Sequence, residues 1–459
     1  MALDIIVVVL YAAAMLALGY YGMRRAKTHE DYLVAGRNLG PTLYMGTMAT
    51  TVLGGASTVG TVRLGYVHGI SGFWLCAALG LGIIALNLFL AKPLLRLRIF
   101  TVTQVLERRY NPMARQASAV IMLAYALMIG VVSTLAMGTV LEVLLDVPFW
   151  MALLFGGGVV VVYSTIGGMW SLTLTDIVQF VIKTVGLMFI LLPVCVYKAG
   201  GWDTLVAKLP AASFQLTTIG WDTIITYFLI YFFGILIGQD IWQRVFTARD
   251  EKVCQRAGTT AGIYCVLYGL ACAMIGMAAH VLMPDLANPN NAFAEMIKTT
   301  LPDGIRGLLM AAALAAMMST ASAGLLAAST TLTEDLLPKL RGGKQSSLGV
   351  NRLFTLLTGL AVLGIALAVN DVIAALTLAY NLLVGGMLIP LIGAIFWKRA
   401  TTAGAIASMS LGFVTALFFM FKDGMEANSP IYYSLAVGLV SFVLVSLLSR
   451  KPTAAVNLA

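Results

Sequence analysis

The sequence predicts an all-α membrane protein with about thirteen transmembrane helices. Hydrophobic residues make up 60% of the 459 residues and charged residues only 11%, which is far more apolar than the composition of soluble domains. Apolar runs of about 20 residues, each long enough to cross roughly 30 Å of hydrocarbon, recur along the whole chain. Positive charges collect in alternate loops between these runs. We therefore expect a multi-pass protein without a soluble domain.

Thirteen apolar runs define the predicted helices. The first run is too long for a signal peptide, and its positive charges, Arg24, Arg25 and Lys27, follow it rather than precede it, so we expect a retained helix. The runs cover residues 3–23, 42–63, 70–95, 117–145, 149–166, 172–197, 221–241, 257–283, 305–332, 354–368, 372–397, 403–421 and 431–448.

The loop charges predict the orientation of the chain. Loops after the odd-numbered runs carry most of the Lys and Arg residues, such as Arg96 and Arg98, whereas the loops around Asp146 and Asp285 carry fewer. Positively charged loops stay in the cytoplasm. We therefore expect the cell inner (plasma) membrane, with the N-terminus outside and the C-terminus cytoplasmic. This topology explains the net charge of +9 without nucleic acid. The expected partners are the lipid bilayer and a small solute, with no obligatory protein partner.

Several functional classes are disfavoured. The three histidines lie far apart and the cysteines lack CxxC spacing, so neither a zinc site nor a Ser/His/Asp triad is expected, and we predict that the protein is not an enzyme. No GxxxxGK[ST] loop is present, so uphill transport must use an ion gradient. A membrane sensor is also disfavoured, because only about ten residues follow the last run. The cysteines are Cys76, Cys195, Cys254, Cys265 and Cys272.

Two runs contain helix breakers beside polar residues. Gly54 and Gly55 lie in the middle of the second run, and Gly234 and Gly238 lie in the seventh. Non-helical backbone at membrane depth is tolerated only where it lines a cavity or is buried in protein. The glycines of the second run alone fit close helix packing equally well. Interruptions at matching positions of two halves favour an inverted repeat with a binding site near the midplane.

A stripe of hydroxyls runs through the ninth apolar segment, which reads AMMSTASAGLLAAST at residues 316–330. Ser319 and Ser322 share a helix face, and Thr320 lies beside them. Such hydroxyls can bond back to the preceding turn of their own helix. Together with carbonyls freed in the second run, they would also supply the oxygen shell that a hard cation such as sodium requires.

Four segments resemble the sodium:solute symporter family, which includes bacterial proline, pantothenate, sialic acid and sugar symporters. They are DYLVAGRNLGP at 31–41, TDIVQ at 175–179, GQDIWQRVFTARDEK at 238–252 and MMSTASAGLLAASTTLTEDL at 317–336. The resemblance implies a LeuT-type five-plus-five inverted repeat and the import of a small organic solute by sodium symport through alternating access. The repeats would be 41–200 and 220–400. The first helix and its cytoplasmic loop (1–40) would precede them, and two helices with a short tail (401–459) would follow.

The resemblance also implies a sodium site. Its ligands would be the carbonyls of Thr50, Leu53 and Ala316 and the hydroxyls of Ser319 and Thr320. All five positions carry chemically suitable oxygen atoms in this sequence. Na⁺ is therefore the expected coupling ion.

Some relatives hold a second ion, and the matching positions here are Asp176, Ser322 and Ala323. Alanine has no hydroxyl, so a second ion is disfavoured, and Asp176 is instead a candidate relay for the exiting ion or a helix cap. Lys183 follows Asp176 by two helical turns. Its amine would either pair with Asp176 or take the place of sodium. In the second case the transporter would be proton-coupled, which is the alternative function.

The solute is less well specified. The sugar symporters have an acid at the position of Cys76, which disfavours a sugar. The proline symporters have an acid at the position of Val52, so a free amino group would lack that partner. A neutral, anionic or quaternary ammonium solute remains open. The candidate substrate-binding residues are Gly54, Ser57, Tyr231, Gln239, Tyr380 and Asn381.

Overall fold

Helices make up almost all of the described chain, which comprises residues 2–340, 346–369 and 371–450 of the computed structural model. The predicted tail at 451–459 lies outside the described residues. Within them, strand-like pairing is confined to one bridge, between Leu39 and Ala248. The long apolar helices are Ala2–Arg25, Ala56–Leu97, Pro112–Leu145, Phe149–Lys198, Glu251–Leu282, Ile305–Leu336, Leu348–Ala366, Val372–Phe396, Thr402–Asp423 and Ser429–Leu448. Shorter helices include His29–Val34, Pro41–Val52, Thr103–Arg109, Trp202–Lys208 and Ala292–Thr300.

The described chain has ten helices that can cross a membrane, or eleven when the bent pair Trp221–Ile237 and Gln239–Val245 counts as one span. Thirteen were predicted. The count is lower because two of the helices continue through the loop that was predicted between two runs. Ala56–Leu97 and Phe149–Lys198 contain 42 and 50 residues, about twice the length needed for one crossing. Each covers parts of two predicted segments and contains a glycine at positive φ, Gly69 (+65°) and Gly168 (+54°) respectively.

One helix forms the centre of the bundle. We call Ile305–Thr331 the central helix. In the span to which it belongs, 94% of the most apolar stretch of 18 residues is buried inside the protein. Its small residues allow close approach of its neighbours: Gly324 packs against the backbone of Gly130, and an added Cβ would lie 2.5 Å from the Gly130 nitrogen. The predicted hydroxyl stripe therefore lies inside protein rather than against lipid.

The predicted interruption of the second apolar segment is confirmed. The helix Pro41–Val52 ends at Leu53, whose φ of −90° and ψ of 66° are non-helical, and the chain resumes helical structure at Ala56–Gly60 and Thr61–His68. We call these segments the first broken helix. Gly54 is required at the break because a Cβ there would collide with the Thr320 side chain.

The second interruption is also present, but it lies at only one of the two predicted glycines. Trp221–Ile237 and Gln239–Val245, which we call the second broken helix, meet at an angle of 47°. Gly238 makes the bend with extended backbone angles (φ −69°, ψ 132°). Gly234 instead lies inside a regular helical turn and packs against the ring of Tyr380, where a Cβ would not fit. Gly234 therefore serves close packing.

Candidate functional site

Two hydroxyls of the central helix meet the broken end of Pro41–Val52. Ser319 Oγ donates to the carbonyl oxygens of Thr50 at 2.9 Å and Ala316 at 3.1 Å. Thr320 Oγ1 donates to the carbonyl oxygens of Thr51 at 2.7 Å and Thr50 at 3.3 Å. The Thr50 and Thr51 carbonyls are available because the helix stops at Val52, before further turns could use them.

This cluster fits a hard cation because its polar atoms are all oxygens from carbonyls and hydroxyls. Four of the five predicted sodium ligands are linked by hydrogen bonds, since Ser319 bonds the carbonyls of Thr50 and Ala316 and Thr320 bonds the carbonyl of Thr50. The fifth, Leu53, lies in the same break. The carbonyl of Thr51 belongs to the cluster as well. It was not predicted, because the predicted carbonyls came from the resemblance, which does not include Thr51.

Lys183 lies at the edge of this cluster. Its side chain is fully buried, and Nζ donates to the Leu53 carbonyl at 3.4 Å. The amine also lies 5.7 Å from the centre of the Tyr268 ring. Among the described residues it has no ion pair, with Asp176 or any other carboxylate, within the 4.0 Å limit. Of its two predicted positions, the structure therefore favours the one beside the proposed sodium ligands.

Asp176 belongs to a second buried group, which adjoins the cluster near Thr50. Thr47 Oγ1 donates to Asp176 Oδ2, and Nη2 of Arg244 lies 3.7 Å from the same oxygen. Ser322, the other residue of the predicted second ion site, donates to the carbonyl of Ser319 at 2.9 Å. No hydrogen bond joins Asp176 and Ser322 in the described structure. The burial of Arg244 was not predicted, because this residue follows the seventh apolar run, where positive charge is expected of a cytoplasmic loop.

A narrow cavity adjoins the cluster, and in this conformation it has room for about one water molecule. Three of the six predicted substrate residues line it, namely Gly54, Ser57 and Tyr380. Thr51 and Thr320 of the oxygen cluster line it as well, so a solute there would lie directly beside the cluster. The other lining residues are Val52, Gly55, Ala56, Leu79, Ile129, Val132, Ser133, Asp240 and Leu376.

The other three predicted substrate residues lie outside this lining. Tyr231 packs edge-on against Tyr380, with ring centres 5.3 Å apart, and its hydroxyl bonds Thr377 at 3.2 Å. The amide of Gln239 accepts from the Val102 nitrogen at 2.9 Å and donates to the Phe100 carbonyl at 2.8 Å. It therefore holds the loop that precedes the helix Thr103–Arg109. Asn381 is buried, and neither polar atom of its amide has a hydrogen-bond partner among the described residues.

Known proteins of the family that the sequence resembles match this chain over most of its length. The model of the sodium:solute symporter family matches residues 32–412. The high-affinity proline transporter of Bacillus subtilis is 26% identical over 465 residues, covering 96% of this chain and 98% of that protein. The sodium/proline symporter of Staphylococcus aureus is 26% identical over 490 residues, covering 98% of this chain and 94% of that protein.

Solved structures confirm the predicted five-plus-five fold. A sodium-coupled sialic acid symporter in a substrate-bound outward-open state superposes with a TM-score of 0.84 at 20% identity, and 98% of each chain is covered. A nucleobase-cation-symport-1 family transporter, in a closed conformation, gives a TM-score of 0.61 at 15% identity over 92% of this chain and 96% of the other. With the family match spanning most of its length, the chain belongs to the sodium:solute symporter family.

Proposed function

We propose that the protein imports a small organic solute by sodium symport through alternating access, with sodium held between the first broken helix and the central helix. Sodium coupling and solute transport follow from the family. The observation that carries the proposed ion site is the convergence of the Ser319 and Thr320 hydroxyls on the carbonyl of Thr50. The carbonyls of Leu53 and Ala316 complete the proposed ligand set.

The position of this site beside the cavity explains how ion and solute would depend on each other. A bound sodium ion supplies one positive charge that holds carbonyls and hydroxyls of two helices together. Thr51 and Thr320 belong to the oxygen cluster and also line the solute cavity. Sodium that orders the interruption of the first broken helix would therefore also fix the cavity wall at Gly54. By thermodynamic linkage, a solute that favours the ordered wall raises sodium affinity by the same factor.

The first test measures sodium binding without transport. The melting temperature of purified protein is followed as sodium chloride replaces potassium chloride at constant ionic strength. We expect Ser319→Ala and Thr320→Ala to raise the sodium concentration for half-maximal stabilisation at least about tenfold, since each removes one hydroxyl ligand.

Thr331→Ala is the matched control. Thr331 is buried on the same helix, but its hydroxyl bonds only the Ala327 carbonyl of its own helix, at 3.0 Å, so its sodium response should match that of the parent protein. Equal responses in all three variants would contradict the proposed site. Uptake driven by a proton gradient and indifferent to sodium would contradict sodium symport and favour the proton-coupled alternative.

We also propose the predicted orientation and repeat boundaries. The broken helices begin at Pro41 and Trp221, close to the proposed starts of the repeats at 41 and 220. Each begins its proposed repeat and is interrupted partway along, at Leu53 and at Gly238, as expected for related halves. Cytoplasmic loops are expected to carry the positive charge. This supports an N-terminus outside and a C-terminus in the cytoplasm of the cell inner membrane.

A further inference from the structure

One acidic side chain on the cavity wall has no role in the proposed sodium site. Asp240 follows the bend at Gly238 and is 98% buried, with 2% of its surface exposed. It lines the cavity together with Gly54 and Ser57 of the first broken helix. Tyr125 donates its hydroxyl to Oδ1 of Asp240 at 2.9 Å. The bend of the second broken helix therefore delivers a carboxylate to the place where a solute would bind.

This carboxylate has no ion pair within 4.0 Å among the described residues. Its side chain accepts a hydrogen bond from the hydroxyl of Tyr125. Of the nearby buried cations, Arg244 lies 3.7 Å from Asp176 and acts on Asp240 only from farther away, and Lys183 donates to the Leu53 carbonyl. A buried carboxylate that is hydrogen-bonded but not ion-paired still carries a desolvation cost. A positively charged group entering the cavity would offset that cost.

Aromatic rings surround the same carboxylate. Tyr380 lines the cavity and packs edge-on against Tyr125 and Tyr231, with ring centres 5.3 Å apart in both pairs. The faces of such rings attract cations, most strongly where water is excluded. Among the described lining residues, Asp240 is the one charged side chain and none is positive. The electrostatic character of the cavity therefore favours a cationic group over an anion.

We propose that Asp240 binds the protonated amino group of the transported solute. The inference rests on the proposed function and extends it by naming the substrate class, a small molecule with a primary or secondary ammonium group. The cavity is narrow in this conformation, so it must widen to admit such a solute. Asp240 offers an alternative to the acid that is missing at Val52, because this residue of the second broken helix lines the same cavity as Val52 of the first.

Matched compounds test the ammonium group without any mutation. Purified protein in sodium chloride is screened by thermal shift against small amino acids and simple amines. Each amine is paired with its amine-free counterpart, for example L-proline with cyclopentanecarboxylate and L-alanine with propionate. We expect at least one amine to stabilise the protein and its counterpart to bind at least about tenfold more weakly, since it loses a charge-assisted hydrogen bond. Stabilisation by amine-free compounds alone, or by no amine, would overturn the proposal.

Two variants then assign the interaction to Asp240. D240N keeps the shape and removes the charge, and we expect it to weaken binding of the amine at least about tenfold while the shift caused by sodium alone stays unchanged. D240E keeps the charge and should retain most of the binding. Equal amine affinity in D240N and the parent protein would overturn the proposal. So would a D240N protein that loses only its sodium response, because the carboxylate would then bind an inorganic cation. Failure of the proposed sodium site would appear separately, in the Ser319 and Thr320 variants.

Discussion

Lys183 places a primary amine among the atoms that we propose as sodium ligands. Nζ donates to the Leu53 carbonyl at 3.4 Å, deep inside the protein. An ammonium group and a sodium ion carry the same charge and use the same kind of acceptor. At the effective dielectric constant of a protein interior, two unit charges a few ångströms apart repel by several kcal/mol. The side chain is therefore expected to oppose sodium binding.

Replacing Lys183 should consequently strengthen sodium binding. Lys183→Met keeps an unbranched apolar stem and removes the charge, so we expect the sodium concentration for half-maximal thermal stabilisation to fall about tenfold or more. Lys183→Arg keeps the charge and should not show this gain. A methionine variant with unchanged or weaker sodium affinity would contradict the competition between amine and ion.

Contacts between individual residues could be predicted where side-chain chemistry and spacing define them. Ser319 and Thr320 could be identified from a hydroxyl stripe and their partner Thr50 from the resemblance, and the structure brings these residues together. The sequence did not indicate whether Gln239 or Asp240 faces the cavity. The answer depends on a 47° bend and on a loop about 140 residues away in sequence, which binds Gln239. Neither feature can be predicted from the neighbouring residues.

At the scale of the helices, glycine at positive φ allows a long apolar segment to break. Gly168 has φ +54° and ψ −139° inside Phe149–Lys183. A Cβ there would lie 2.5 Å from the Tyr32 carbonyl oxygen, so an alanine would be strained by backbone angle and by contact. Such strain costs of order 1–3 kcal/mol. This break was predicted only as the gap between two apolar runs, because its φ is not visible in hydropathy.

Gly168→Ala should therefore lower the melting temperature of the purified protein by several degrees. Gly158→Ala is the matched control, because Gly158 lies on the same helix and a Cβ there meets no atom within 4 Å. Alanine has the higher helix propensity, so the control should be neutral or slightly stabilising. Similar melting temperatures for the two variants would argue against a strained break at Gly168.

At the scale of the whole molecule, positive side chains gather around one surface cavity. Arg37, Lys92, Arg96, Arg98 and Arg249 line a surface cavity that also contains Asp250 and Glu251. Residues 37 and 249 come from distant parts of the chain and are held together by the bridge between Leu39 and Ala248. Loops that are separate in sequence thus meet at one end of the bundle, and the charge rule assigns that end to the cytoplasm.

The orientation can be tested on the two ends of one span. Asp222 and Arg249 flank the second broken helix and are both exposed. In intact cells, a membrane-impermeant maleimide should label a cysteine at Asp222→Cys, whereas Arg249→Cys should react only after permeabilisation. The five native cysteines are buried, so the unmodified protein supplies a low background. Labelling in the reverse order would invert the proposed topology.

The hydrogen bonds of Ser319 and Thr320 have a consequence for the return of the empty transporter. A symporter that has released its cargo must return empty, and bare carbonyls in a dry interior would make that return slow. Here the Thr50 and Thr51 carbonyls accept hydroxyl protons, and the Leu53 carbonyl accepts from Lys183. In the mechanism that we propose, the protein's own donors replace the departed ion, so the unloaded carrier can turn over without leaving its ligands unsolvated.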